Sequence, residues 1–199
     1  MTVASAYDDE LWELVPEDPG PPPAHLVRWV RTLPFVDRAL DLGCGDGRLT
    51  LELPARDVVG ADVSALALAR AGRRATGRVP PVTWVELEPD APLPLEDGRV
   101  DLVLCAETVE HVRDVQLLLS EVRRVLAPGG RLALSTPAHG RLTALGLALR
   151  GWERGFDPLG PHLSFFGRRG LVRLLGEMGF DVEHVRRTHG TLLVRALRG

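Results

Sequence analysis

Residues 39–53 read ALDLGCGDGRLTLEL, and this stretch decides how the chain folds. An apolar run comes first, and Gly43, Gly45 and Gly47 follow it at alternate positions. Glycine lets the backbone turn sharply and approach a ligand closely. We therefore predict a buried strand, a tight loop and then a helix whose first amide groups point towards the loop.

Two carboxylates flank this loop in the predicted sheet. Asp41 stands two residues before Gly43, and Asp62, in GADVS, ends the next predicted strand, where nucleotide-binding sheets hold ribose hydroxyls. The loop lacks the G-x-G-x-x-G spacing and has no lysine, so a phosphate is not the expected ligand. Ser64 can cap the following helix, which leaves Asp62 for another role. The pattern favours a positively charged nucleoside.

The rest of the chain alternates strands and helices. After RALDLGC we predict strands in DVVGADV, VTWVEL, RVDLVLCAE and RLALSTPA, with helices in SALALARAGRRA and VQLLLSEVRRVLA. The last two predicted strands, FDVEHVRR and TLLVRAL, follow the helix FGRRGLVRLLGEMG and are too close for a parallel pair, which needs a crossover of about a dozen residues. The pattern predicts an α/β domain with a doubly wound, seven-stranded sheet, mostly parallel, with one antiparallel strand near the C-terminus.

Length and composition favour a single domain. At 199 residues the chain can bury one sizeable core, and we assign residues 1–35 to an N-terminal cap segment with a helix and residues 36–199 to the domain itself. The start lacks a leader pattern and no apolar run approaches about 18 residues, so we expect a cytoplasmic protein without a transmembrane segment. Cys44 and Cys105 are interpreted as free thiols in a reducing compartment.

Charge usage argues against a nucleic-acid surface. All 24 basic residues are arginine, and the net charge is -3. Nucleic-acid binding normally requires clustered positive charge, which an overall acidic chain does not suggest. No Lys, Ile or Asn occurs, and we interpret that bias as the mark of a GC-rich bacterial genome.

Residues 106–112, AETVEHV, carry the acidic and histidine side chains most able to do chemistry. On a helix turn, the spacing places Glu107, Glu110 and His111 on one face. Three interpretations stay open. His111, with Glu110, accepts a proton from an acceptor; all three side chains ligate a metal; or the glutamates only favour the start of a helix through its dipole.

Four stretches, in order, resemble the class I S-adenosylmethionine-dependent methyltransferases. They are DLGCGDG, GADVS, LPLEDGRVDLVLCAETVEHV and EVRRVLAPGGRLALSTP, and the resemblance extends over residues 36 to 197. It implies a Rossmann-like fold, S-adenosyl-L-methionine as cofactor and methyl transfer as activity. By this resemblance Gly43, Gly45 and Gly47 face the methionine part, Asp41 lies near its ammonium group and Asp62 holds the ribose.

The resemblance also suggests the rest of the cofactor site. The family's adenine-binding acid falls here on Pro89, and we assign its role to the neighbouring Glu88, with Leu87 or Trp84 beside the ring. Cys44, Val63, Ala106 and Glu107 complete the predicted cofactor-binding set.

Within that family, the E-x-x-E-H pattern resembles two groups. One comprises ubiquinone-biosynthesis and related small-molecule O-methyltransferases, and the other comprises small-RNA 3′-end 2′-O-methyltransferases, which bind a divalent metal through two Glu and two His. A fourth ligand here would have to be His139 or His162, and VRDVQ after His111 lacks the RNA group's second histidine. We therefore predict O- or N-methylation of a small, apolar or aromatic acceptor and assign no residue to a metal. The alternatives are the RNA enzyme and a non-catalytic cofactor-binding subunit.

Two further segments are candidates for acceptor recognition. The long stretch at about residues 139–163 is predicted to form a lid, and the alternatives are an interface, a peripheral membrane contact through Arg150 and Trp152, or plain packing. Tyr7 and Trp12 face the acceptor or simply pack on the domain. We expect a monomer or a homodimer.

Overall fold

The structure is a computed structural model that describes residues 3–139 and 163–199, with side chains from Asp9 onward. One seven-stranded sheet of order β3-β2-β1-β4-β5-β7-β6 runs through it. Its strands are β1 (Val36–Leu42), β2 (Ala55–Asp62), β3 (Thr83–Glu86), β4 (Val100–Ala106), β5 (Leu126–Pro137), β6 (Phe180–Thr188) and β7 (Thr191–Arg198).

Strand direction follows the sequence prediction. Strand β7 is antiparallel to both of its neighbours, β5 and β6, and every other pairing is parallel. The predicted mostly parallel α/β sheet with one antiparallel strand is therefore confirmed. The strand order reverses at β1, which pairs with β2 on one side and β4 on the other. Sheets of this kind bind ligands at such a switch point, beyond the carboxyl ends of the strands.

Helices cover both faces of the sheet. They are α1 (Val3–Leu14), α2 (Ala24–Val30), α3 (Ala65–Arg74), α4 (Val115–Val125) and α5 (Arg168–Glu177). Apolar side chains of α4 and α5 pack with the sheet in one buried cluster, while those of α2 pack in a second cluster that includes Leu102, Leu104 and Leu193. Alternate residues of β4 thus enter different clusters, because successive side chains of a strand point to opposite faces.

Two local segments differ from the conformation that we predicted from the sequence. The helix predicted after the glycine loop is only a single 3-10 turn, Thr50–Glu52, because Pro54 cannot continue a helix and β2 begins at Ala55. Val109–His111 is likewise a 3-10 turn, and the backbone is extended at Val112. The expected shared helix face of Glu107, Glu110 and His111 is therefore absent.

Candidate cofactor and acceptor site

The glycine loop between β1 and β2 has the left-handed backbone that its sequence predicts. Gly43, Gly45 and Gly47 have φ angles of 72°, 53° and 77°, a region that residues with a Cβ rarely adopt. The amides of Gly43 and Cys44 both donate to the carbonyl of Ala61, at 2.8 and 3.0 Å. These bonds hold the loop against the end of β2.

Asp62 joins this loop to helix α3. Its Oδ2 accepts a hydrogen bond from the Gly45 amide at 2.8 Å, and its Oδ1 accepts one from the Ser64 amide at 3.0 Å. Ser64 caps α3 through its own hydroxyl, as predicted, at 3.1 Å from the Ala67 amide. Each carboxylate oxygen can accept more than one hydrogen bond, so these contacts are compatible with the predicted grip on a ribose.

Asp41 lies deeper than its predicted role requires. The residue is 2% exposed, and its Oδ2 accepts a hydrogen bond from the Thr50 hydroxyl at 2.6 Å. The pKa of this carboxyl is raised to about 7, chiefly by burial; the bond from Thr50 lowers it and the charge of Asp62 raises it. In this structure the carboxyl is not open to a ligand, and contact with an ammonium group stays a prediction.

A buried ion network that the sequence analysis missed fixes the far side of the loop. Asp46 is 3% exposed and pairs with Arg48 at 2.8 Å and with Arg74 at 3.0 Å. Arg74 belongs to α3 and also donates to the Asp46 carbonyl at 3.2 Å. Nothing in the sequence pairs residues 28 positions apart, so only the fold could reveal this contact.

Helix α1 packs directly on the glycine loop. A Cβ added to Gly45 would lie 2.7 Å from the Trp12 ring, so the indole rests against this glycine. Asp9 accepts hydrogen bonds from the Ser64 hydroxyl at 2.5 Å and the Leu66 amide at 3.2 Å, and Arg70 lies over the Trp12 ring at 5.9 Å from its centroid. Trp12 therefore borders the predicted cofactor loop, whereas the Tyr7 side chain lies outside the described part of the chain.

The predicted adenine contacts divide between two environments. The Leu87 amide donates to the Asp62 carbonyl at 2.8 Å, which places the exposed Glu88 next to the end of β2. Trp84 lies elsewhere: a Cβ on Gly60 would be 2.3 Å from its ring and a Cβ on Gly47 2.9 Å. Trp84 is thus packed against the base of the loop.

Three further predicted cofactor residues lie in the same neighbourhood. Cys44 is buried within the loop, and burial raises the pKa of its thiol well above the ordinary range. Val63, directly after Asp62, and Ala106, at the end of β4, are half-buried. The predicted cofactor residues therefore lie at one edge of the sheet. Asp41 lies there too, but its carboxyl is enclosed.

On the other side of the switch point, Glu107 is held in an unusual conformation. Its φ is 53°, and its amide donates to the Ser135 carbonyl at 3.0 Å and the Ser135 hydroxyl at 3.1 Å. The same hydroxyl donates to Glu107 Oε1 at 2.7 Å. Burial raises the pKa of Glu107, opposed by the bond from Ser135. Such strain costs about 1 to 3 kcal/mol and concentrates at functional sites.

Glu110 is almost completely enclosed, at 2% exposure. Its Oε2 and the Thr136 hydroxyl are buried and complete no hydrogen bond with the described residues. Burial raises the pKa of the Glu110 carboxyl, although its own backbone amide and the nearby Thr136 hydroxyl lower it in part. His111 is exposed, with Nε2 4.0 Å from Glu110 Oε1.

Ser135 and Thr136 belong to the site but are absent from the residues predicted from the sequence. Both lie in β5, beside the carboxyl end of β4, and are fully buried. A signal was present, because LALSTP places two hydroxyls at the end of an otherwise apolar strand. A polar pair at the carboxyl end of a buried strand is typical of a site residue in this type of sheet.

Metal ligation receives no support from the described residues. Among residues 3–139 and 163–199, no group of three His, Cys, Asp or Glu side chains could hold a metal ion. His139 instead lies against Phe165, with ring centroids 4.9 Å apart, and burial lowers its pKa. His162 and nearly all of the predicted lid at 139–163 lie outside the described residues. None of the described helices is long and apolar enough to cross a membrane.

Known proteins resemble this chain in sequence. A family model described as a methyltransferase domain matches residues 40–134. The chain is 39% identical over 145 residues to a demethylmenaquinone methyltransferase of Thermus thermophilus, a match that covers 70% of this chain and 64% of that protein. It is 31% identical over 157 residues to a ubiquinone biosynthesis O-methyltransferase of Leptothrix cholodnii, covering 75% of this chain and 66% of the relative. The matches thus span less than two thirds of either relative's length.

The fold has counterparts among solved structures. An S-adenosylmethionine-dependent methyltransferase from Mesorhizobium loti superimposes with a TM-score of 0.65 at 25% identity, covering 86% of this chain and 95% of that one. The segment matched by the family model contains the glycine loop, Asp62 and the turn with Glu107 and His111. Residues 40–134 thus match a methyltransferase domain, and the chain shares its fold with an S-adenosylmethionine-dependent methyltransferase, which implies S-adenosyl-L-methionine as the cofactor.

Proposed function

We propose that the protein transfers a methyl group from S-adenosylmethionine to a hydroxyl or amine of a small, aromatic acceptor. One observation carries this proposal: the glycine loop and the turn after β4 meet at the switch point, where the Thr108 side chain packs on Gly43 so closely that a Cβ added there would lie 2.3 Å from it. A cofactor bound along the loop would therefore lie beside Glu107, Glu110 and His111.

The loop fits the methionine and ribose parts of the cofactor. Its glycines carry no side chain of their own, although Trp12 lies against Gly45 and Trp84 against Gly47. Asp62 lies at the strand end where a ribose acid is needed. When bound, the cofactor supplies an electrophilic methyl group on a positively charged sulfur. The protein then has to align the acceptor and exclude water.

A hydroxyl acceptor also requires removal of its proton, and His111 is the proposed base. A neutral imidazole is suited to this near pH 7. His111 would accept the proton that the acceptor hydroxyl loses when its oxygen takes the methyl group that the bound cofactor would supply. The nearby Glu110 carboxyl, 4.0 Å from Nε2, would orient the ring and stabilise its charged form.

The relatives support an aromatic acceptor. The names of the two sequence relatives refer to demethylmenaquinone and to ubiquinone biosynthesis, so both concern quinone-related compounds. We extend that substrate class to this chain as part of the proposal. Of the two heteroatoms, a phenolic hydroxyl gives His111 a role, whereas an amine acceptor does not require it.

The proposal is tested by cofactor binding and by methyl transfer. Titration calorimetry should show binding of S-adenosylmethionine and S-adenosylhomocysteine, and labelled cofactor should methylate reduced quinones or catechols from a metabolite panel. His111→Gln should lower kcat by about 100-fold or more without changing cofactor affinity. His184→Gln is the matched control, because His184 is an exposed histidine of β6.

The outcomes separate the alternatives. Binding without transfer to any acceptor would support a non-catalytic cofactor-binding subunit instead. Methylation of small RNA that depends on an added divalent metal would favour the RNA enzyme. Failure to bind either form of the cofactor would contradict the proposal as a whole.

A further inference from the structure

Four exposed arginines lie at one end of the molecule. Arg168 and Arg169 begin helix α5, and Arg186 and Arg187 lie near the end of β6. We call them the arginine face. None of the four forms an ion pair with a described residue.

Strand direction places both pairs at the carboxyl edge of the sheet. Strand β6 is antiparallel to β7, which is antiparallel to β5, so β6 runs in the same direction as β5. Arg186 and Arg187 therefore lie at the edge where β5 ends. Helix α5 begins at this edge too, because Phe166 bridges to Ala138, directly after β5.

The positive charge of the arginine face itself is uncompensated. Of the six arginines in residues 163–176 and 184–195, Arg173 pairs with Glu177 at 4.0 Å, whereas the four of the arginine face form no ion pair with a described residue, and the whole chain has a net charge of -3. Elsewhere arginines are neutralised by close carboxylates, as Arg74 is by Asp46 at 3.0 Å and Arg124 is by Glu121 at 2.7 Å. The arginine face thus concentrates positive charge on a chain that is negative overall.

Apolar side chains project beside this charge. Leu163 is 49% exposed and Phe165 is 41% exposed, at the start of the segment that leads into α5. The amides of Leu163 and Ser164 both donate to the Glu110 carbonyl, at 2.8 and 3.0 Å. The apolar side chains therefore lie next to the candidate acceptor site.

We propose that the arginine face and the apolar pair Leu163 and Phe165 dock this edge of the protein onto an anionic lipid bilayer. Arginines attract acidic headgroups, and exposed apolar side chains enter the interface between headgroups and acyl chains. A nucleic acid would use the arginines equally well, but an exposed leucine has no partner there. The candidate acceptor site would then face the bilayer. Its use for a lipid-soluble acceptor rests on the proposed function, whereas the docking itself does not.

Vesicle sedimentation with the full chain tests this proposal. We expect binding to phosphatidylcholine vesicles that contain phosphatidylglycerol, weak binding to phosphatidylcholine alone, and loss of binding at high salt. The variant R168E/R169E/R186E/R187E should bind the anionic vesicles at least about 10-fold more weakly. Leu163→Ser should weaken binding without changing its dependence on salt.

The control reverses two arginines at the opposite edge and is compared with R168E/R169E, which changes the net charge by the same amount and should weaken binding more. Arg56 begins β2 and Arg99 precedes β4, both exposed, so R56E/R99E alters charge away from the proposed contact. It should bind the vesicles within about 2-fold of the wild type, since the field of a surface charge is screened within about 10 Å. If this control weakened vesicle binding equally, the loss of binding would be explained by net charge alone, and the proposal would be overturned.

Two other results would overturn the proposal. One is no preference of the wild type for anionic over neutral vesicles. The other is arginine-dependent binding to a duplex oligonucleotide without binding to vesicles, which would assign the arginine face to nucleic acid. Cofactor titration of the same variants keeps the tests apart, because failure of docking leaves cofactor binding intact, whereas failure of the proposed function leaves vesicle binding intact.

Discussion

The two sides of the switch point are built in different ways. On the β1–β2 side, glycines with positive φ and backbone amides form the candidate cofactor loop. Asp62 accepts hydrogen bonds from the amide of Gly45, in the loop, and from the amide of Ser64, before α3. On the β4–β5 side, the candidate site groups are side chains held by other side chains, as the predicted cofactor residue Glu107 is by Ser135 at 2.7 Å. A site made of backbone can be recognised from a local sequence, whereas a site made of side-chain contacts between strands cannot.

The largest expected effect concerns the buried acid under the cofactor side. Burial raises the pKa of Asp41 from 3.8 to about 7, so the folded protein retains a proton that the unfolded chain has lost. Stability should therefore fall as pH rises from about 4 to 7, and Asp41→Asn should remove this loss. Relative to the wild type, the variant should gain up to about 4 kcal/mol between pH 4 and pH 8.

Urea unfolding at a series of pH values measures this difference. Asp101→Asn is the control, because Asp101 also lies in a parallel strand but is only partly buried and pairs with Arg38. A constant difference between Asp41→Asn and the wild type across the range would show that Asp41 does not hold a proton in the folded state.

A methyl group on the glycine loop should have the next largest effect. Gly45→Ala combines a φ of 53° with a Cβ only 2.7 Å from Trp12, so we expect a loss of about 2 to 3 kcal/mol in stability and weaker cofactor binding. Gly77→Ala shares the positive φ, at 83°, but meets no atom within 4 Å.

Thermal or urea unfolding of both variants separates strain from contact. Gly77→Ala should lose only about 1 to 2 kcal/mol. Adding Trp12→Ala to Gly45→Ala should recover part of the difference if the indole is the obstacle. Equal losses at Gly45 and Gly77 would indicate that α1 does not press on the loop.

Removing the predicted ribose acid should weaken cofactor binding. Asp62→Ala should lose about 1.5 to 3 kcal/mol of binding free energy, the usual range for a hydrogen bond to a charged group. Calorimetry with S-adenosylhomocysteine gives this value directly. Asp57→Ala, at an exposed position of the same strand, provides the control. An unchanged dissociation constant for Asp62→Ala would remove Asp62 from the ribose site.

The smallest expected effect belongs to the acceptor side. Ser135→Ala removes the hydroxyl that binds both the amide and the carboxylate of Glu107. We expect kcat/KM to fall about 5-fold, which corresponds to about 1 kcal/mol of lost transition-state stabilisation. Cofactor affinity should stay within about 2-fold of the wild type if Glu107 serves the acceptor. A loss of cofactor affinity instead would assign Glu107 to the cofactor side. Ser120→Ala, on the exposed side of α4, is the matched control.

The comparison explains which predictions the sequence could support. The positive φ of the loop glycines and the Ser64 cap were predictable because each depends on the residue's own backbone or on neighbours a few positions away. The helix predicted after the loop was wrong. The apolar pattern of residues 47–53 indicated a helix, but Pro54 ends the segment after a single turn. The helical geometry expected at Glu107 was also wrong, because contact with β5 favours a left-handed backbone that spacing cannot show.

The amino-acid sequence alone determined the strand and helix alternation, the single reversed strand and the position of the glycine loop, because these follow from short-range periodicity and glycine chemistry. Only the tertiary structure decided that Asp41 is enclosed, that Trp12 rests on Gly45, that Ser135 holds Glu107 and that four arginines share one edge. Each of these depends on elements distant in sequence that sheet pairing and helix packing bring into contact. Burial, charge and side-chain partners are properties of that packed arrangement.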